Sequence, residues 1–172
     1  MRHEVESLRR QRNTIDGPPS GESGEPDRNR PGVLVVDDDQ LVRLMVRTGL
    51  ERNGFDVWIA ADADEAVEVY RMHTGRIAVV LLDVQMPGRD GPETLDALRE
   101  LDPGVPVCFM SGDTGDYTAD ELTRRGATCF VPKPFLLNDL AETLRQVASR
   151  KTGEAVDAAT ATKSRTRHEL TA

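Results

Sequence analysis

A chain of 172 residues has room for one ordinary domain with a self-sufficient core, and two domains would be cramped. Its formal charge of −8 is concentrated centrally: residues 1–30 hold six Arg against six acids and 151–172 four Lys/Arg against three, so 31–150 carries 12 basic and 21 acidic side chains. A segment of that sign repels phosphate backbones, which argues against direct nucleic-acid binding, and there is no apolar run of about eighteen residues to cross a membrane.

The opening residues Met1-Arg2-His3-Glu4 carry charge where a signal peptide needs an apolar stretch, so a soluble, cytoplasmic protein is expected. Residues 14–31 are rich in Gly, Pro, Ser and charge, with almost nothing apolar to offset the entropy of ordering. Residues 1–30 therefore read as a disordered arm, 31–150 as the folded domain and 151–172 as a disordered tail.

Between the tails, strand and helix patterns alternate. Val33-Leu34-Val35-Val36 is an unbroken apolar run, as expected of a parallel strand covered on both faces. Asp39 is placed to cap the helix that follows, where Leu41, Leu44, Met45 and Thr48 make a stripe at helical spacing. Val57-Trp58-Ile59-Ala60 is a second strand, and Asp62 with Glu65 has the spacing of a capping box before a helix that turns Ala66, Val67 and Tyr70 inward. The run Ile77–Leu82 is a third, central strand, followed by a helix lined by Leu95, Leu98 and Leu101. Val105–Met110, a short helix with Ala119 and Leu122, and Thr128–Val131 continue the alternation; Pro132 suits a sheet edge, where a missing N–H is tolerated. The last helix spans roughly 135–149, with Leu137, Leu140, Ala141, Leu144, Val147 and Ala148 on one face. Cys108 and Cys129 lie inside apolar runs and read as small buried hydrophobes, not as a bridge or metal ligands, which fits a reducing compartment.

Five βα units imply an α/β fold: a doubly wound, five-stranded parallel sheet of flavodoxin-like order 2-1-3-4-5, with helices on both faces. In such a sheet the ligand crevice lies beyond the carboxyl ends of the strands. The first strand offers Asp37 and Asp38 there, the third Asp83, the fourth Ser111 and the fifth Lys133, while the second offers nothing. Two carboxylates ~4 Å apart repel by about 4 kcal/mol at an effective dielectric of 20, so three acids in one pocket call for a counter-charge. Mg²⁺, a hard cation that takes oxygen ligands, can supply it, and the Lys133 ammonium can pair with a bound phosphoryl group from the opposite side.

The strings Val33-Leu34-Val35-Val36-Asp37-Asp38-Asp39, Leu82-Asp83-Val84-Gln85-Met86-Pro87-Gly88, Met110-Ser111-Gly112 and Phe130-Val131-Pro132-Lys133-Pro134-Phe135 together resemble the receiver domain of two-component response regulators. The likeness covers about residues 31–150, with Gly112 and Pro132 as mild departures. It implies Asp83 as phosphoacceptor, Mg²⁺ bound by Asp37, Asp38, Asp83 and the Gln85 backbone carbonyl, and Asp38 as the direct carboxylate ligand. It further implies phosphoryl contact and switching by Ser111, Lys133 and Phe130, tuning of dephosphorylation by Gln85 and Asp113, and a cis bond before Pro134.

The implied partners are a sensor histidine kinase or histidine phosphotransfer protein, and a downstream protein or second copy meeting the last two helices and the fifth strand around Tyr117, Arg124, Phe130 and Leu137. No separate effector enzyme is expected. Two other readings stand beside this one. A receiver-like scaffold would bind partners without phosphorylation, and an aspartate-nucleophile phosphatase would carry a paired Asp-x-Asp on the first strand, whereas Asp37 and Asp38 are adjacent. Asp39 reads as a helix cap outside the metal site, and His3, His73 and His168 as surface residues.

Overall fold

The computed structural model describes residues 30–112 and 117–150. The expected arm and tail, apart from Arg30, lie outside the described residues, as does Asp113. Five strands, β1 (Gly32–Val36), β2 (Asp56–Ala60), β3 (Ile77–Asp83), β4 (Val107–Ser111) and β5 (Cys129–Pro132), form one parallel sheet in the order β2-β1-β3-β4-β5. Helices α1 (Gln40–Arg52), α2 (Ala63–Met72), α3 (Gly91–Leu101) and α4 (Ala119–Arg124) connect them, and a fifth, α5, runs over 137–150.

Alternate residues of the central strands serve opposite faces. Leu34, Val36, Val80 and Leu82 pack against Ala66, Val69 and Tyr70 of α2 and Leu95 and Leu98 of α3. Val33, Val35, Val79 and Leu81 pack against Val46 and Leu50 of α1 and Leu140, Ala141 and Leu144 of α5. Because β1 and β3 are covered on both sides, their sequences are apolar without alternation. Each such side chain, fully buried, contributes about 1.5–3 kcal/mol.

Capping fixes where the helices begin. Asp39 accepts from Leu41 N at 2.7 Å, as its position before α1 predicts. Asp62 accepts from Glu65 N, but Glu65 takes the Ala61 N–H at 2.7 Å, one residue before the cap. Complete capping boxes occur at Asp90/Glu93 and Thr118/Glu121, which the sequence reading passed over.

Three expectations about packing are corrected. In α1 the stripe Leu41, Leu44 and Met45 faces outward, at 76%, 44% and 51% exposure, and the sheet is met instead by Val46, Gly49 and Leu50. The reason is Gly49: a Cβ there would lie 2.6 Å from Leu137 Cδ1, so the glycine marks the closest approach of α1 to α5. A residue without a side chain is invisible to a hydrophobic pattern, and the pattern was therefore phased on the wrong face. Leu101, the last residue of α3, and Ala119, the first of α4, are likewise exposed, because each helix only reaches the core in its middle.

The third correction concerns the cysteines. Cys108 and Cys129 are register partners on β4 and β5, their Cα atoms 4.6 Å apart, and their sulfurs are bonded to each other. That separation lies in the range a disulfide spans. Only the register of two adjacent parallel strands brings the thiols face to face, and the spacing of 21 residues does not reveal it. The bond also withdraws the support that free thiols lent to a reducing compartment. Among the described residues, no helix is long and apolar enough to cross a membrane.

The turn from β3 into α3 is crowded at Gly91. A Cβ there would run into the Asp83 carbonyl oxygen and lie 2.9 Å from Val84 Cα. Alanine is the better helix former by about 1 kcal/mol, so propensity and crowding oppose each other. Crowding against backbone should win: Gly91→Ala is expected to lower the unfolding free energy by about 1–3 kcal/mol in urea denaturation, and a stabilised variant would show the turn to be open.

Candidate functional site

The carboxyl ends of β1, β3, β4 and β5 converge, as the strand order requires. Asp37 and Asp38 follow β1 directly, Asp83 ends β3, Ser111 ends β4 and Lys133 follows β5. Asp37 is 1% exposed, Asp83 8% and Ser111 4%, whereas Asp38 faces solvent. One carboxylate oxygen from each of Asp37, Asp38 and Asp83 falls within 4.8 Å of the others. Lys133 Nζ donates to Asp37 Oδ2 at 2.8 Å and to Asp83 Oδ1 at 3.3 Å. Its backbone N–H donates to Ser111 O at 2.8 Å, so the β4–β5 ladder itself sets the base of the lysine. The peptide bond between Lys133 and Pro134 is cis, as the resemblance implies.

The remaining expected residues surround this group. Gln85 is exposed two residues past Asp83, and Phe130 is half-buried against the core on the α2–α3 side. Two groups of contacts escaped the sequence reading. Arg43, one turn into α1, donates from Nη1 to the Asp37 carbonyl oxygen at 2.5 Å, while Asp39 N donates to Asp37 Oδ1 at 2.8 Å. Together they hold the turn that presents Asp38. Tyr117 donates its hydroxyl to Asp90 Oδ2 at 2.8 Å, tying the segment before α4 to the cap of α3. The first could have been sought one helical turn after the acidic pair; the second depends on a loop conformation that no spacing encodes.

Burial, foremost, holds the Asp83 carboxyl above its ordinary range; the nearby Lys133 charge opposes this and the Asp37 charge adds to it. For Lys133, burial works against the charged form, but the hydrogen bond and charge of Asp37, with the charge of Asp83, outweigh it and hold the ammonium above its ordinary value. The chemistry of the cluster suits a hard divalent cation: its donors are carboxylate oxygens alone, the set that magnesium and calcium prefer over softer metals.

The raised Asp83 value has a stability consequence. The folded state binds this proton more tightly than the unfolded chain, so the contribution of Asp83 to stability falls as pH rises from its ordinary value of 3.8 through its folded one. Asp83→Asn, assayed in chelator, should therefore raise the urea midpoint at neutral pH, with the gain fading below about pH 4. A gain that persists undiminished in acid would mean that desolvation of the charge is not its source.

The family profile described as response regulator receiver domain matches residues 33–145. Sensor kinase CckA of Brucella abortus is 35% identical over 119 residues, 69% of this chain and 13% of that protein. Transcriptional regulatory protein PrrA of Mycobacterium tuberculosis is 35% identical over 121 residues, 70% of this chain. The chain thus spans about half the length of the PrrA relative and a smaller part of the kinase. Among solved structures, chemotaxis protein CheY4 of Vibrio cholerae aligns with TM-score 0.63 at 32% identity, covering 69% of this chain and 98% of that one. A complex of CheX with CheY, BeF3 and Mg+2 from Borrelia burgdorferi gives TM-score 0.63 at 29% identity, over 68% and 88% of the two chains. With a match across most of its described residues and the same sheet order and helices, this chain belongs to the response regulator receiver family.

Proposed function

We propose that Asp83 accepts a phosphoryl group from a histidine kinase or histidine phosphotransfer protein, and that the altered surface then engages another protein. The observation that carries this reading is the placement of a buried carboxylate at the end of a central strand, 3.3 Å from an ammonium and beside two further acids. To attack phosphorus the Asp83 carboxylate must be ionised and stripped of much of its water. Burial removes the water, and Lys133 offsets part of the cost of keeping the charge.

Asp37, Asp38, Asp83 and the Gln85 backbone carbonyl are the groups that would hold Mg²⁺, with Asp38, the exposed one, as the direct carboxylate ligand. Bound there, the ion would neutralise phosphoryl oxygens during in-line transfer. Lys133 would exchange its carboxylate partners for the phosphoryl group, and the Ser111 hydroxyl would meet the same group from β4. Gln85 and Asp113 would govern access of water to the acyl phosphate, and Phe130 would report the change. The supporting family likeness includes the Borrelia CheY solved with BeF3 and Mg+2.

The outward stripe of α1 offers a docking face for the phosphodonor. Leu41, Leu44 and Met45 begin three residues after Asp38, and Leu136, 71% exposed, follows Lys133 by three. Downstream contacts are assigned to α4 and β5, around Tyr117, Arg124 and Phe130. Leu137 leaves that surface, because it packs against Gly49 of α1 on the other face of the sheet. Residues 31–150 are taken as the unit sufficient for both steps.

Incubation with acetyl phosphate and Mg²⁺, read by intact mass, tests the central step. One hydroxylamine-labile phosphoryl group is expected on the wild type and on a 31–150 fragment, none on Asp83→Asn and little on Asp38→Ala. A wild type that stays unlabelled would favour the scaffold reading. Lys133→Ala should still label, since acceptor and acids remain, but lose most of the phosphorylation-dependent partner binding or self-association seen by sedimentation. Equal association by the two labelled proteins would remove Lys133 as the link.

A further inference from the structure

The cystine joins the two strands that carry Ser111 and Lys133, and it does so within one short ladder. β5 is four residues long, pairs only with β4 in this sheet, and begins at Cys129. The cross-link thus stands at one end of the pairing and the acidic pocket at the other. From Cys108 the chain of β4 reaches Ser111 in three residues; from Cys129 the chain of β5 passes Phe130 and reaches Lys133 in four. The far end of the ladder is closed by Lys133 N donating to Ser111 O at 2.8 Å. A covalent tie across so short a ladder fixes the separation and register of the strands that aim both side chains.

The two cysteines differ in exposure. Cys108 is 0% exposed and packed in the core between the sheet and α5, whereas Cys129 is half-buried on the edge strand. An incoming thiolate therefore meets the Cys129 side first, and the sheltered Cys108 is the leaving group. Exchange of this kind needs approach to only one sulfur.

We propose that Cys108 and Cys129 form a redox-active thiol–disulfide site, reduced by dithiols, whose state sets how readily Asp83 is phosphorylated. In reduction, one thiolate of the dithiol attacks Cys129 Sγ, the Cys108–Cys129 bond breaks, and Cys108 leaves as a thiolate that takes a proton. The second thiolate of the dithiol then attacks the mixed disulfide and releases Cys129 as a thiol. The dithiol ends as a disulfide, two electrons lighter, and the protein gains two protons. With the tie gone, β5 is held to β4 by the ladder hydrogen bonds and the packing of Phe130 and Val131 without a covalent link, and the Ser111–Lys133 geometry loosens. The redox chemistry stands by itself, while its effect on Asp83 rests on the phosphoacceptor reading.

Two measurements on the full chain keep those parts separate. The first is alkylation with iodoacetamide, quenched in denaturant and read by intact mass. Protein equilibrated in oxidised glutathione should take up no label, and after treatment in its folded state with dithiothreitol it should take up two. Two reactive thiols before reduction, or a bond that resists the dithiol while the protein is folded, would overturn the redox site. The second is the rate of acetyl phosphate labelling. Reduced and oxidised wild type should differ by about fivefold or more, the lower end of ordinary coupling between sites. Cys108→Ala and Cys129→Ala, each unable to form the bond, should both label like the reduced protein and ignore dithiothreitol. Equal rates in the two redox states would sever the link to Asp83. Absence of labelling in every state would instead refute the phosphoacceptor reading and leave the alkylation result intact.

Discussion

An ammonium held between two buried carboxylates ties together the ends of three strands. Lys133 reaches Asp37 on β1 and Asp83 on β3 from the end of β5, although the three residues are separated by 46 and 50 positions along the chain. Among the described residues, Lys133 is the cation paired with these acids, and the Asp39 N–H adds a neutral donor to Asp37. One lysine cannot balance Asp37, Asp38 and Asp83 together, so the arrangement is stable as a protein and still short of positive charge. That residual demand suits the cluster to a hard cation.

The rest of the fold can be understood as support for this contact. Parallel strands buried on both faces bring their carboxyl ends to a common edge, and the order β2-β1-β3-β4-β5 leaves only β2 outside the group. Arg43 and Asp39 hold the turn after β1, and Gly91 lets α3 begin against the backbone of Asp83. On the opposite flank, the cystine locks the ladder that presents Ser111 and Lys133. Rigid placement of this kind matters because the pocket works by electrostatics, which depend steeply on distance where solvent is excluded.

How much of this was legible in the sequence follows from what each feature depends on. The strands were visible because burial on both faces writes an unbroken apolar run such as Val33–Val36. The acidic pocket was visible because its members sit at strand ends, where topology alone brings them together. The orientation of α1 was not, because its closest contact with α5 is made by Gly49, which leaves no apolar mark, while the more conspicuous Leu41, Leu44 and Met45 face outward. The disulfide depends on strand register and the Tyr117–Asp90 hydrogen bond on a loop, and neither property is periodic. The misread helix carries an exposed apolar stripe, Leu41, Leu44 and Met45, that the core does not use.

The most direct test of the charge-deficient pocket is the dependence of folding stability on magnesium, which requires neither a phosphodonor nor a partner. A ligand that binds the folded state alone stabilises it by about 1.4 kcal/mol for each tenfold rise above its dissociation constant. The urea midpoint of the wild type should therefore climb with Mg²⁺ at constant ionic strength, while that of Asp38→Asn stays level over the same range. A wild-type midpoint indifferent to Mg²⁺, or one raised equally by a monovalent salt, would contradict the assignment of these three carboxylates as a metal site.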